Sequence, residues 1–447
     1  MGKDNFVFDE KSREMIDELS GYVIASPYPF VLDLKSCRGM YLATAGGVKI
    51  FDWAGYYGSK LLGHNHPRLR EPEYLEKLVT AANNKTANPD FLTGECLDYY
   101  RLVYSLAPPS MKNDKMEVYV VNSGAEAVEN MIKYLINLYD EKMLKRGISP
   151  GVRRLIYFDR AFHGRTIFAL NVTQLSHDPI ITKDFHGFIP GNLRVPFPSV
   201  DTSQPDDWNE RRMNNSLSII EDCLRTYGNE VVGIICEPLQ GAGGQRLACP
   251  EFFRRLSRLA HDYDIFLGFD EVQTAGGQTG TMFAIEQFDL PFPPQAVATA
   301  KKFANGVIYM LYSMKDRGVL DSTWGGNLAD MVRFVQEMKI VREEKLMEQV
   351  PEKAGCLVSG LNALAARYNN LIFNVRGMGL YQGFSMRRPE NKSRLIDIAL
   401  ARHQMLLLGA GAQTIRLRPV LDVSIEEIKS MLVKLDSCMD ILQRSDS

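Results

Sequence analysis

Two adjacent carboxylates, Asp270 and Glu271, close the apolar run Ile265-Phe266-Leu267-Gly268-Phe269. A run this short, flanked by polar residues, reads as a buried strand of a parallel sheet. Ligands of open α/β sheets gather outside the carboxyl ends of such strands. A carboxylate placed there needs a partner, because losing water unpaired is costly. A metal ion, an arginine or the protonated ring nitrogen of a cofactor could each face Asp270. An ordinary helix cap or a structural ion pair is the competing explanation.

Other stretches narrow the choice. Asn122-Ser123-Gly124-Ala125-Glu126 stands where a strand gives way to a helix. Small residues there let the backbone approach an anion, and the helix start offers free N–H groups. Phe162-His163-Gly164-Arg165 follows another strand end, with an aromatic that can stack on a planar ring and an arginine that can grip a carboxylate. Taken singly, a His and an Arg beside a glycine are more often structural. Glu237-Pro238-Leu239-Gln240-Gly241 opens a glycine-rich loop, and Lys301-Lys302 follows the apolar Ala296–Ala300 run. A lysine at a strand end is unusual. Its free amine, with a pKa of about 10.4, is too basic to attack at neutral pH unless burial or neighbouring cations depress it. Both lysines could instead lie at the solvent edge. His64-Asn65-His66 lacks the carboxylate or cysteine spacing of a metal site, so no metal is expected. No Walker phosphate loop is present to make Asp270-Glu271 an ATPase pair. An anion cradle, an aromatic plate, a carboxylate for a ring nitrogen and an amine for an aldehyde together fit pyridoxal phosphate.

The elements that must carry these groups alternate. From about Glu71 to Met314, β-rich runs at 118–121, 155–158, 231–236, 265–269, 296–300 and 308–311 are interleaved with helical stretches, among them 125–144 and 250–263. That is the signature of an α/β domain with a mostly parallel sheet and helices on both faces. The first residues, to about 70, suggest a helical start and short strands of a hairpin around Val31–Leu34, Gly39–Leu42 and Ile50–Trp53. Beyond 330 come a long helix, strands near 373–376, 380–385 and 415–418, and a closing helix over 425–442. The expected division is a large domain over 71–330 and a smaller α+β domain built from 1–70 and 331–447. At 447 residues, 45% hydrophobic and 24% charged, the chain has the balance of a globular protein, and its net charge of −2 gives no reason to expect nucleic acid. Seven scattered cysteines without a C-x-x-C pair point to reduced thiols and a cytoplasmic setting. The polar Met1–Phe6 start has no signal core, and no apolar run approaches a membrane span.

With these motifs in this order, the chain resembles the class III aminotransferases, fold type I enzymes that use pyridoxal 5'-phosphate. Ser123-Gly124-Ala125-Glu126-Ala127, Phe162-His163-Gly164-Arg165, Glu237-Pro238-x-Gln240-Gly241, Asp270-Glu271-Val272-Gln273-Thr274 and Lys301 carry the likeness over nearly the whole length. Within the class it is most similar to the L-lysine 6-aminotransferases, through Ser322-Thr323-Trp324-Gly325-Gly326-Asn327 and Ile415-Arg416-Leu417-Arg418-Pro419 among others. The resemblance implies that Lys301 bonds to the cofactor's aldehyde and shuttles the substrate proton, with Lys302 its rival. Asp270 would pair with the pyridinium nitrogen. Ser123, Gly124 and Ala125 would form the phosphate turn, with Gly124 and Ala125 binding through backbone N–H groups. Phe162 and Val272 would cover the two ring faces, and Gln273 would reach the ring hydroxyl and the substrate. Thr323 would reach the partner subunit's phosphate, which implies a homodimer with a shared active site. Arg165 would hold the substrate α-carboxylate, and Arg416 the second carboxylate of 2-oxoglutarate or glutamate. The amino donor implied is L-lysine.

One position departs from that pattern. The lysine 6-aminotransferases carry a Glu in the loop after Glu-Pro-x-Gln, which neutralises the second arginine when the substrate has no distal carboxylate. Here the position is Ala242. An arginine left buried and unpaired costs about 3–5 kcal/mol, by analogy with broken buried pairs. Ala242 therefore favours, as the alternative, an ω-amino acid or diamine aminotransferase with a different donor.

Overall fold

The computed structural model describes residues 7–24, 27–182, 189 and 191–446; the Met1–Phe6 stretch read above lies outside them. In chain order the strands are β1 (Tyr41–Ala43), β2 (Lys49–Asp52), β3 (Glu117–Val121), β4 (Arg154–Phe158), β5 (Leu193–Val195), β6 (Val231–Cys236), β7 (Leu239–Gln240) and β8 (Arg246–Leu247). They continue with β9 (Phe266–Asp270), β10 (Ala296–Thr299), β11 (Gly306–Met310), β12 (Ile372–Met378), β13 (Tyr381–Met386), β14 (Met405–Leu406), β15 (Leu408–Ala410) and β16 (Thr414–Arg416).

The central sheet has the order β3-β11-β10-β9-β6-β4-β5. β11 alone runs against its neighbours; the other strands are mutually parallel. The carboxyl ends of β3, β4, β6, β9 and β10 therefore share one edge. Side chains leave each strand alternately to two cores. Ile156, Phe158, Leu267 and Phe269 join one cluster, while Leu155, Tyr157, Val232 and Ile235 join the other. On the first face Phe253 stacks on Phe288 with centroids 4.0 Å apart, and Phe252 meets Phe197 edge to face. Such ring pairs contribute about 0.5–1.5 kcal/mol each beyond the area they bury.

The second face is covered by the helix Gly124–Lys145. Ala127, Val128, Met131, Leu135 and Tyr139 recur at helical spacing and are buried, whereas Glu141 and Lys145 look outward. Full burial of a Val, Leu or Met side chain is worth about 1.5–3 kcal/mol, so this stripe fixes the helix on the sheet. Ser123 caps its start by accepting from Glu126 N, while the Glu126 carboxylate accepts from Asn122 N.

The ends of the chain meet. β1 and β2 form the expected hairpin, and β14 adds to β2 in parallel, pairing Met405 with Phe51 and Leu406 with Asp52. Val31–Leu34 contributes only an isolated bridge, Leu32 to Thr44, instead of a strand. The antiparallel sheet β12-β13-β16-β15 sets Arg416 opposite Gly383. The long helix Asp206–Tyr227 and the edge strand β5 have no counterpart in the sequence reading.

Candidate active site

Five strand ends deliver the groups singled out above to one edge of the sheet. Asp270 is the last residue of β9 and lies on the same side of the strand as Gly268, toward the helix Gly124–Lys145. Its Oδ2 lies 2.8 Å from His163 Nδ1, and its Oδ1 accepts from Val272 N at 2.9 Å. Glu271 turns the other way. It is fully buried, accepting from Ala284 N at 2.9 Å, Ile285 N at 2.8 Å and the Thr274 hydroxyl. Burial lifts its carboxyl to about 7. Of the two neighbouring acids, one is spent on holding a loop and the other faces the site.

His163 is the residue the sequence reading undervalued. Its side chain is completely enclosed, and its Nε2 has no partner. Burial alone would favour the neutral ring, but the hydrogen bond to Asp270 and the charges of Asp270 and Glu237 raise its pKa above the ordinary value. Positions 163 and 270 lie 107 residues apart, and no spacing rule links them. Glu237, also enclosed, accepts from Phe162 N at 2.9 Å and so orients the loop bearing the Phe162 ring. Burial pushes its carboxyl well above the usual range.

The helix start beside Asp270 is tightly packed. A Cβ added to Gly124 would lie 2.7 Å from Val272 Cγ1 and 3.3 Å from Ala300 Cβ. Glycine at this position lets Val272, the helix end and the turn after β10 meet. The first turn leaves the N–H groups of Gly124 and Ala125 at its open end, a cradle suited to an anion.

The paired lysines differ sharply. Lys302 is buried, and its Nζ donates to Gln273 O at 2.6 Å and Tyr381 Oη at 2.9 Å. Lys301 is half-buried, with one long contact from Nζ to Tyr57 O at 3.5 Å. Its backbone is left-handed, φ +52°. Burial, then the Arg416 charge, bring its amine down to about 8, with Asp270 opposing. An amine depressed this far has an appreciable neutral fraction near pH 7.

The two arginines of β16 and its continuation differ as well. Arg418 Nη2 donates to Gln245 Oε1 at 2.5 Å and Gln273 Oε1 at 3.0 Å, and its guanidinium lies 4.4 Å from the Tyr381 ring. Arg416 is enclosed yet has no partner for Nε or Nη1. Burial pushes it down to about 10, with Glu237 as the leading opposing charge. Neither Ala242 nor its glycine neighbours offer it a carboxylate.

Gln273 has both ends of its amide engaged: Oε1 by Arg418, and Nε2 by Tyr57 O at 3.1 Å. Phe162 and Val272 are half-buried beside the Asp270–His163 pair and the helix start. Arg165 and Thr323 do not join this cluster within the chain. Both are exposed, and neither has a hydrogen bond or ion pair among the described residues. The loop of Thr323 is nonetheless tied to the helix start, since Asn122 Nδ2 donates to Ser322 Oγ at 3.1 Å and Gly326 N donates to Asn122 Oδ1 at 3.2 Å. Among the described residues no group of three His, Cys, Asp or Glu could hold a metal, and no helix is long and apolar enough to cross a membrane.

These residues suit pyridoxal phosphate: a free amine, an enclosed carboxylate held by a histidine, and an open helix start lie together. The family model for class-III aminotransferases matches residues 22–439. The L-lysine-epsilon aminotransferase of Streptomyces clavuligerus is 29% identical over 97% of this chain and 96% of its own length. That of Mycobacterium bovis is 31% identical over 92% of each. The solved lysine aminotransferase of M. tuberculosis in the internal aldimine form superposes with a TM-score of 0.88 at 28% identity, covering 96% of this chain and 99% of that one.

Proposed function

The chain belongs to the class-III aminotransferases, and from that premise we propose that it transfers the ε-amine of L-lysine to 2-oxoglutarate, giving L-glutamate and a semialdehyde. The enzyme is a pyridoxal-phosphate-dependent transaminase of fold type I. Lysine as donor is supported by the full-length likeness to the Streptomyces and Mycobacterium enzymes. The acceptor rests on one observation: a buried guanidinium, Arg416, whose Nε and Nη1 have no partner. The distal carboxylate of a dicarboxylate would supply an acceptor to that guanidinium.

When bound, the cofactor supplies an aldehyde for amine exchange and a ring that accepts electron density. Lys301 Nζ, whose basicity burial and the Arg416 charge reduce, would hold that aldehyde and would carry the proton to and from the amine-bearing carbon of the substrate. Asp270, oriented by His163 and by Val272 N–H, keeps a proton on the ring nitrogen. Gly124 and Ala125 N–H groups hold the phosphate, with Ser123 capping the turn, and Phe162 and Val272 exclude water from the ring faces. Gln273, its amide held by Arg418 and by Tyr57 O, would give up one of these partners to reach the ring hydroxyl and substrate. Arg165 takes the α-carboxylate, and Thr323 completes the phosphate site of a partner subunit. That dimer is supported by the exposure of Arg165 and Thr323 beside exposed Trp324, Phe91 and Leu92.

The absence of an acid at Ala242 favours a second reading, an ω-amino acid or diamine aminotransferase. Glutamate release from 2-oxoglutarate, measured with L-lysine and with a panel of ω-amines, separates the two. Turnover of other ω-amines without turnover of lysine replaces the first reading by the second.

A further inference from the structure

Nothing in the amine exchange employs Lys302, yet only 1% of it is exposed. A buried lysine without a task is rare. Its Nζ donates to Gln273 O at 2.6 Å, Tyr381 Oη at 2.9 Å and Gly58 O at 3.4 Å. The proton of Tyr381 in turn goes to Gly58 O at 3.3 Å, so no donor faces the lysine nitrogen. Three acceptors match the three protons of an ammonium. They come from three parts of the chain: the loop after β9, the tyrosine turn after β2, and β13.

The lysine stem has no room to move. Gly276, at φ +115°, passes so close that a Cβ there would lie 2.6 Å from Lys302 Cε. Just before it, Lys301 adopts a left-handed backbone, and Ala304 does the same at φ +69°. Non-glycine residues hold such angles only when their surroundings over-determine them. On the far side of the turn, Phe303 O accepts from Tyr99 Oη at 2.7 Å. On the near side the fastening is Lys302 Nζ with its three acceptors.

We propose that Lys302 is a positioning residue whose buried Nζ, bonded to Gln273 O, Tyr381 Oη and Gly58 O, pins the turn bearing Lys301 and aims Lys301 Nζ into the site. This rests on Lys301 being the amine that bonds the cofactor. Lys302 differs from its neighbour in function because its protons are already committed. It ties the catalytic turn to the loop that carries Gln273, the turn that carries Tyr57 and strand β13, so the amine keeps its place at the sheet edge.

The test uses cofactor-loaded enzyme. K302M keeps the stem volume and removes all three hydrogen bonds of Nζ; its bound chromophore should persist, because Lys301 is still present. Its kcat should fall by about 10- to 100-fold with KM for the acceptor unchanged, as misaimed groups do. Y381F keeps the lysine and deletes one fastening, so kcat should fall, by less than in K302M. A K302M enzyme with the wild-type kcat overturns the proposal. If K302M does not fold, a wild-type kcat in Y381F does so alone. A K301A protein that keeps its chromophore would instead strike the underlying reading, so the two failures are distinguishable.

Discussion

Replacing Arg416 by methionine tests the site's electrostatics from two directions. The guanidinium is enclosed, and burial lowers it from the usual arginine range to about 10. A depression of that size corresponds to about 3 kcal/mol by which folding is opposed while the group stays charged. The sign follows from linkage. The arginine is protonated in both folded and unfolded chains below pH 10, so the cost is present throughout the neutral range and fades only as pH rises through the folded value. Methionine retains most of the apolar stem, so R416M should melt a few degrees higher than wild type, since about 1 kcal/mol moves a large domain by about 2 °C. The loss of attraction to Glu237 and nearby tyrosines offsets part of the gain. Acceptor use should move oppositely. An absent partner for a buried carboxylate costs about 3–5 kcal/mol, or roughly 150- to 5,000-fold in kcat/KM for 2-oxoglutarate. The half-reaction with L-lysine, which brings no distal carboxylate to that position, should lose far less, its change limited to the altered basicity of Lys301. Single-turnover absorbance of each half-reaction and a melting curve supply the readouts. An unchanged kcat/KM for 2-oxoglutarate, or a lower melting point, would refute the reasoning.

Three further outcomes follow from the geometry. The rate at which cofactor-free protein captures pyridoxal phosphate should climb with pH and level off above about 8, because the attacking Lys301 amine must be neutral; a flat rate across neutral pH contradicts this. H163L removes a hydrogen bond to the Asp270 carboxylate, worth about 1.5–3 kcal/mol, so kcat should drop roughly 10- to 100-fold and the chromophore should titrate differently, as a visible-absorbance titration will reveal. G124A forces a Cβ to within 2.7 Å of Val272 and should weaken cofactor binding about tenfold or more, while G124A/V272A should recover most of it; equilibrium dialysis of the two variants decides.

The elements were largely readable because their signals are local. The helix at Gly124–Lys145 and the strands at 231–236 and 296–299 show their periodicity within a dozen residues. The Asp206–Tyr227 helix escaped because its stripe is broken by charged and polar residues, with only Met213, Ser216, Leu217, Ile220 and Leu224 buried. The reversed direction of β11 is invisible in composition, since a buried strand reads the same either way.

Residue types and motif order, carried by the sequence alone, determined the anion-binding turn, the strand-end acid, the strand-end lysines and the family they resemble. Only the folded chain separated neighbours. Asp270 faces the site while Glu271 caps a loop; Lys302 is saturated with acceptors while Lys301 is not; Arg418 is clasped by glutamines while Arg416 has bare nitrogens. Residues one or two apart carry nearly the same local information, yet backbone direction sends them to different surroundings. Several of those surroundings, His163 beside Asp270 and Gln245 on Arg418 among them, come from segments more than a hundred residues away, whose approach is set by core packing and not by any local pattern.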